Sequence, residues 1–167
     1  MKKFILALTI IFVANLGCKK IIDSEKPCAC SPIFYPSLNF VIKNTAGDDY
    51  LNTKTTGSFS KDNIQLYYKE PSGNIKQVQF LIRQPFSYGS EQFKYFYLRS
   101  EEILAINNSL NPVFYIKLGN NVPYEVKIEF DKNKNKVEKL TINNNEAVAA
   151  TGTLINYQDG NMFYFTL

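Results

Sequence analysis

The sequence contains no histidine and no tryptophan, and among its 167 residues there are only three cysteines. Without an imidazole, Ser-His-Asp triads, Cys-His pairs and histidine general bases are impossible. No Gly-rich phosphate loop of the P-loop or GxGxxG type occurs, so nucleotide binding by those routes has no basis. Formal net charge is only +4. The lysines are scattered, with no stripe that could follow a phosphate backbone, so nucleic acid is not an expected partner. What the chain has instead is 13 Phe and 11 Tyr within a 45% hydrophobic composition, which argues against disorder.

Asparagine recurs in runs: Asn107-Asn108, Asn120-Asn121 and Asn143-Asn144-Asn145. The plain reading is turn positions, where Asn tolerates positive φ.

The amino terminus reads MKKFILALTIIFVANLGC. Lys2 and Lys3 precede an apolar run, Phe4 to Leu16, interrupted only by Thr9 and Asn15. As a helix this run spans about 20 Å, short of the roughly 30 Å hydrocarbon core, so it reads as the h-region of a signal peptide covering 1–17. Gly17-Cys18 follows directly. The pattern resembles the lipobox of bacterial lipoproteins, with Asn15 where that motif usually has Leu. The resemblance covers residues 1–18 and implies cleavage before Cys18, a diacylglycerol on its thiol and acylation of the new amine. An ordinary secretory cleavage is the alternative, but Ala14-Asn15-Leu16 lacks small residues one and three positions before the cut. Loss of Lys2 and Lys3 with the leader leaves 17 basic against 15 acidic residues, so the mature chain is nearly neutral.

Residues 18–36 are expected to be the lipidated terminus and a polar tether containing Pro27, Pro32 and Pro36. As a flexible chain it spans on the order of 25 Å. Cys28 and Cys30 lie within it. One intervening residue is too few for a relaxed disulfide between them, which leaves an intermolecular bridge or half a metal site. No histidine could complete that site, so neither a metal nor a cofactor is expected.

From residue 37 to 167 the chain is expected to form one domain, an antiparallel all-β sandwich of about eight or nine short strands. Tyr124, Val126, Ile128 and Phe130 alternate with Glu125, Lys127, Glu129 and Asp131, the pattern of a half-buried strand. Ile64, Leu66 and Tyr68 alternate in the same way. Segments 38–43, 75–82, 92–98, 113–118, 137–143 and 146–151 are further strands, and the two apolar faces of Phe93 to Leu98 suggest a central one. Asp159-Gly160 predicts a type I′ hairpin joining 153–158 to 161–167, with Leu154 opposite Phe165 and Ile155 opposite Tyr164. The exception is SEEILAINNSL (100–110), expected as a single helical turn or loop with Ser100 as a possible cap. The run LNFVIKNTAGDDYL followed by NIQLYYKEPSGN loosely resembles the start of transthyretin-like or carboxypeptidase-regulatory-like sandwiches found on small exported lipoproteins. It implies a fold and carries over no functional residue.

No catalytic constellation stands out. Glu125 and Glu129 share a strand face with Lys127 between them, which reads as a solvated face and not a glycosidase pair. Asp48-Asp49 could offer oxygens to Ca²⁺ but has no EF-hand spacing, so an Asx turn is the simpler reading. In RQPFSYGSEQ (83–92), Phe86 and Tyr88 lie between Pro85 and Gly89. There a loop could show aromatics to a sugar or a protein, or use them to close an end of the sandwich.

Taken together, these residues lead to the expectation of a non-enzymatic envelope lipoprotein. Lipid on Cys18 would hold it to a membrane, the outer membrane in the first instance, and its sandwich would bind an envelope protein or glycan or serve a structural role. The alternative is a carboxylate-dependent hydrolase of envelope polysaccharide, which would need two carboxylates facing one cleft.

Overall fold

The computed structural model describes residues 34–156 and 161–167. The leader, Cys18, Cys28, Cys30 and the Asp159-Gly160 turn lie outside the described residues. The compact unit begins at Phe34. Its elements are β1 (Leu38–Lys43), β2 (Ile64–Lys69), β3 (Ile75–Gln77), β4 (Leu81–Arg83), β5 (Phe86–Tyr88), β6 (Glu91–Phe93), β7 (Tyr97–Ser100), α1 (Ile103–Leu110), β8 (Phe114–Leu118), β9 (Tyr124–Asp131), β10 (Lys136–Ile142), β11 (Asn145–Glu146), β12 (Val148–Ala149), α2 (Thr153–Asn156) and β13 (Met162–Thr166). No helix among the described residues is long and apolar enough to cross a membrane.

Two sheets form the sandwich. One has the order β12-β13-β1-β7-β4, the other β11-β10-β9-β8-β2-β3, and β5-β6 is a separate hairpin. The all-β sandwich expected from the alternation is therefore present. Pairing is antiparallel throughout except between β1 and β13, which run parallel with Phe40 beside Phe163 and Ile42 beside Phe165. Between the sheets lie Leu38, Phe40, Ile42, Leu66, Leu98, Phe114, Ile116, Val126, Leu140 and Phe163, all buried.

The strands are more numerous and shorter than expected because three of the apolar segments cross between layers. Segment 75–82 splits into β3 in one sheet and β4 in the other, and 146–151 splits likewise into β11 and β12. Segment 92–98 begins in the β5-β6 hairpin and ends in β7. Alternation reports which faces are apolar, and it continues unchanged through a step from one sheet to the next. The crossings also leave all four sheet edges (β12, β4, β11 and β3) only two or three residues long, a length that gives little template for adding a foreign strand.

The expected terminal hairpin is corrected. Thr153–Asn156 is a helical turn, and β13 pairs with β1 on one side and with β12 on the other. Leu154 and Ile155 do not face Phe165 and Tyr164 across a ladder. They join Val41, Phe93, Tyr97, Ala150 and Met162 in a second apolar cluster on the outer face of the five-stranded sheet. Because β1 is buried on both faces, it needs strands on either side and a cover outside. Helix α2 and the hairpin provide that cover.

The segment 100–110 is also more regular than expected. Helix α1 spans two turns, with Ile103 and Leu104 fully buried. Ser100 does not cap it. It closes β7, and its hydroxyl donates to the Gln79 carbonyl at 2.8 Å. Asn111 ends the helix at φ 47°. The other non-glycine residues at positive φ among those described are Asn135, Asn143 and Asn144; of the asparagine runs, Asn143 and Asn144 fit the positive-φ turn reading, whereas Asn107 and Asn108 lie within α1, where Asn107 is buried. Asn143 and Asn144 form the two-residue type I′ connection between β10 and β11.

One buried amide ties the layers together. Asn161 Oδ1 accepts the Val137 backbone N–H of the six-stranded sheet at 2.8 Å. Its carbonyl accepts the Asn39 N–H of β1, also at 2.8 Å. These contacts place the start of β1, the start of β10 and the start of β13 at one end of the sandwich, where Tyr35 also meets Phe130 with ring centroids 6.3 Å apart. Lys43, Tyr124, Ile142 and Leu167 mark the other end, about 20 Å away along β1.

Candidate binding faces

Phe86 and Tyr88 do not lie on a loop. They flank Ser87 in β5, opposite Phe93 and Glu91. As residues i and i+2 of one strand they point to the same face of the hairpin, but only Phe86 is covered. Phe86 turns inward against Phe93 at 5.3 Å and Tyr97 at 5.9 Å, ring centroid to centroid. Tyr88 stays 66% exposed. The closing role weighed for this segment therefore falls to Phe86, and any outward recognition to Tyr88.

From Phe86 the rings continue across the outer face of the five-stranded sheet. Phe93 meets Tyr95 edge-on at 5.9 Å, and Tyr95 meets Tyr164 edge-on at 6.0 Å. Lys43 Nζ lies 4.3 Å from the Tyr164 ring centroid, within cation–π range. Burial raises the phenol pKa of Tyr164, with a further contribution from Tyr95. Burial likewise raises Tyr97, against the lowering effect of Arg99 and Arg83. Both hydroxyls are thus held neutral.

Tyr164 also borders an open cleft of about 310 Å³ at the Lys43 end of the sandwich. Its walls come from both sheets: Tyr124, Asn143, Asn145 and Glu146 on one side, Tyr164 and Thr166 on the other. Tyr124 is fixed by an edge-to-face contact with Phe165 at 4.8 Å. Ring faces, amides, a hydroxyl and one carboxylate are groups that bind a polar ligand with apolar faces. No protein-family model, curated protein or solved structure matches the chain. The functional reading accordingly rests on this geometry.

The remaining sequence candidates go elsewhere. Glu125 pairs with Lys127 at 2.8 Å and Glu129 with Lys139 at 3.8 Å on an exposed strand face. Asp48 accepts the Asn44 amide at 2.7 Å. Asp49 is the unusual one, being only 9% exposed. Its carboxylate takes the N–H groups of Leu51 at 2.9 Å and Phe96 at 2.7 Å, and so pins the loop after β1 to the approach to β7. Asp48 and one oxygen of Asp49 are thus spent on local hydrogen bonds of the kind the turn reading implies, while the other Asp49 oxygen makes a long-range contact to Phe96.

Burial raises the Asp49 pKa, against the lowering effect of its backbone donors. A folded-state value above the unfolded one means that the contribution of Asp49 to stability is fullest below the ordinary carboxylate range. That contribution is lost as pH rises through the folded value. Asp49→Asn should remove this pH dependence. An amide can accept only one of the two N–H groups and turns a donor toward the other, so the variant should still be less stable at neutral pH by about 1–3 kcal/mol. Urea unfolding at pH 4 and pH 7 checks both effects.

The cleft and the Lys43–Tyr95–Tyr164 group were not legible beforehand. Their residues come from positions 43, 95, 124, 145 and 164, and only pairing of the two sheets brings them together.

Proposed function

We propose that this chain is a cell-envelope lipoprotein, held to a membrane by acyl chains on Cys18, whose β-sandwich is a non-enzymatic binding module. The observation that carries the binding reading is the open cleft at the Lys43 end, with the half-buried rings of Tyr124 and Tyr164 in its walls. That cleft lies at the end of the domain opposite the start of β1, where the tether attaches. A glycan suits it better than a flat protein surface does. Sugar rings present an apolar face for stacking and hydroxyls for Asn145, Glu146 and Thr166, all exposed.

The test is isothermal titration of the purified chain with soluble peptidoglycan fragments and with outer-membrane oligosaccharide. Tyr88→Ala and Asn145→Ala, both at exposed positions, should each weaken binding of the preferred glycan by roughly three- to tenfold, the equivalent of one stacking or hydrogen-bond contact. Undiminished binding in both variants removes this face as the site.

The hydrolase alternative needs a carboxylate pair in one cleft. Glu146 is the one side-chain carboxylate among the described residues lining the cleft at the Lys43 end, and Glu129 and Glu138, which line a second cleft, are each paired with a lysine.

A further inference from the structure

The end of the sandwich at which β1 starts has a surface of its own. Phe34, the first described residue, is 70% exposed. The Tyr35 hydroxyl beside it accepts the Asn108 side-chain N–H, so α1 finishes against the same corner. Leu110, the last residue of α1, is 61% exposed. With Tyr68, Pro71 and Pro112 it lines an open groove of about 600 Å³. Strand register brings these segments to one end. Tyr68, near the end of β2, lies opposite Phe114 at the start of β8, and Phe114 lies opposite Val126, from which β9 runs on to Phe130.

Charge is unevenly placed here as well. The turn from β9 to β10 carries Lys132, Lys134 and Lys136, all exposed. Lys134 is held by Asp131 at 3.0 Å and Glu138 at 2.8 Å. Glu70, Glu101 and Glu129 pair with Lys76, Arg99 and Lys139, and Glu102 accepts the Gln79 N–H. The acidic side chains of this end are thus engaged, and Lys132 and Lys136 have no acidic partner among the described residues. In a mature chain that is nearly neutral as a whole, this turn is a local surplus of positive charge.

A single exposed apolar side chain is ordinary on a protein surface. Val122, at the Lys43 end, is 82% exposed. Position separates it from Phe34, which lies 16 positions after Cys18. A free chain of that length spans on the order of 25 Å, so the Phe34 end stays within reach of any surface that holds Cys18. A domain confined in this way needs little affinity of its own, because the tether supplies a high local concentration. Phenyl and leucine side chains enter the boundary between headgroups and acyl chains, and each ammonium near an anionic surface favours contact by about fivefold.

We infer that the Phe34 end docks on a bilayer surface rich in anionic phospholipid, with Phe34 and Leu110 entering the interface and Lys132 and Lys136 against the headgroups. The inference rests on the Cys18 anchor. It turns the cleft at the Lys43 end away from the membrane, about 20 Å farther out, where a large ligand can reach it.

The chain has no tryptophan, so a single introduced one reports its own surroundings. The lipidated full chain carrying Phe34→Trp is reconstituted into vesicles of phosphatidylethanolamine and phosphatidylglycerol with brominated lipid as quencher. Flotation with the vesicles reports the anchor, and quenching reports docking. Emission of Phe34→Trp should be quenched about threefold more than that of Val122→Trp. The difference should shrink in phosphatidylcholine vesicles and on adding Lys132→Gln/Lys136→Gln. Leu110→Trp is a second reporter at the same end and decides if Phe34→Trp does not fold. Equal quenching at the two ends, or quenching indifferent to lipid charge, in a chain that floats overturns the docking and leaves the anchor standing. A chain that does not float removes both.

Discussion

Replacing Cys18 by serine is expected to abolish incorporation of labelled palmitate and to leave the leader uncleaved, so that the variant accumulates as a precursor of higher mass. Loss of label is expected to be close to complete because the proposed attachment is to the Cys18 thiol alone, and the hold of the acyl chains would be cumulative. Each buried CH₂ contributes about 0.8 kcal/mol, so one acyl chain holds marginally while two or three hold for practical purposes permanently. A hydroxyl at position 18 offers the diacylglycerol transfer no thiol. The rest of the mature chain has almost no net charge, too little to hold it at an anionic surface without the acyl chains. Protease treatment of intact cells expressing the wild type reports in the same experiment which side of the membrane the domain faces. Label still incorporated by Cys18→Ser, or a leader removed as in the wild type, would refute the anchor. The fold of the sandwich would be untouched by that outcome.

Phe40→Ala is expected to be the most destabilising single truncation in the sandwich, by about 3–5 kcal/mol, the range for emptying a buried phenylalanine site. Phe40 is fully buried. It lies in β1, which is hydrogen-bonded to β7 on one side and β13 on the other. Its neighbours are therefore held by two ladders and have little freedom to collapse into the void. Against a typical total stability of about 5–15 kcal/mol, that loss should lower the thermal midpoint by on the order of 10–20 °C. Tyr88→Ala, at the exposed end of the hairpin, should leave the midpoint within a degree or two. Differential scanning calorimetry of the pair compares the two directly, and equal small shifts would show that β1 is not the keystone of the packing.

The difference between β1 and β13 shows where sequence reading stops. The strands β1, β2, β8, β9 and β10 fall within a residue or two of the apolar alternation that marks them, because each is long enough for period two to repeat. The turn at Asn143 and Asn144 was equally legible, since the demand for positive φ is local, whereas Asn107 and Asn108 were drawn into α1. Met162 to Thr166 is just as regular, but its partner lies some 120 residues back in β1, a pairing that no local pattern encodes. The Asp-Gly signal nearby suggested a hairpin, and burial of both faces of β1 outweighed it. Phe86 and Tyr88 stood out from their setting between proline and glycine. Which of them turned inward depended on Phe93 and Tyr97 being across the strand and beneath it.

Composition and order of residues alone determined the exclusion of imidazole chemistry, the all-β class and most of the long strands, because these depend on residue type and on periods shorter than one element. The expectation of a leader ending at Cys18 has the same local origin. Only the tertiary structure decided the parallel closure by β13, the crossings between sheets and the aromatic cleft at the Lys43 end. Each of these arises where segments distant in the chain compete to satisfy one buried surface, and the outcome of that competition is set by the packed whole.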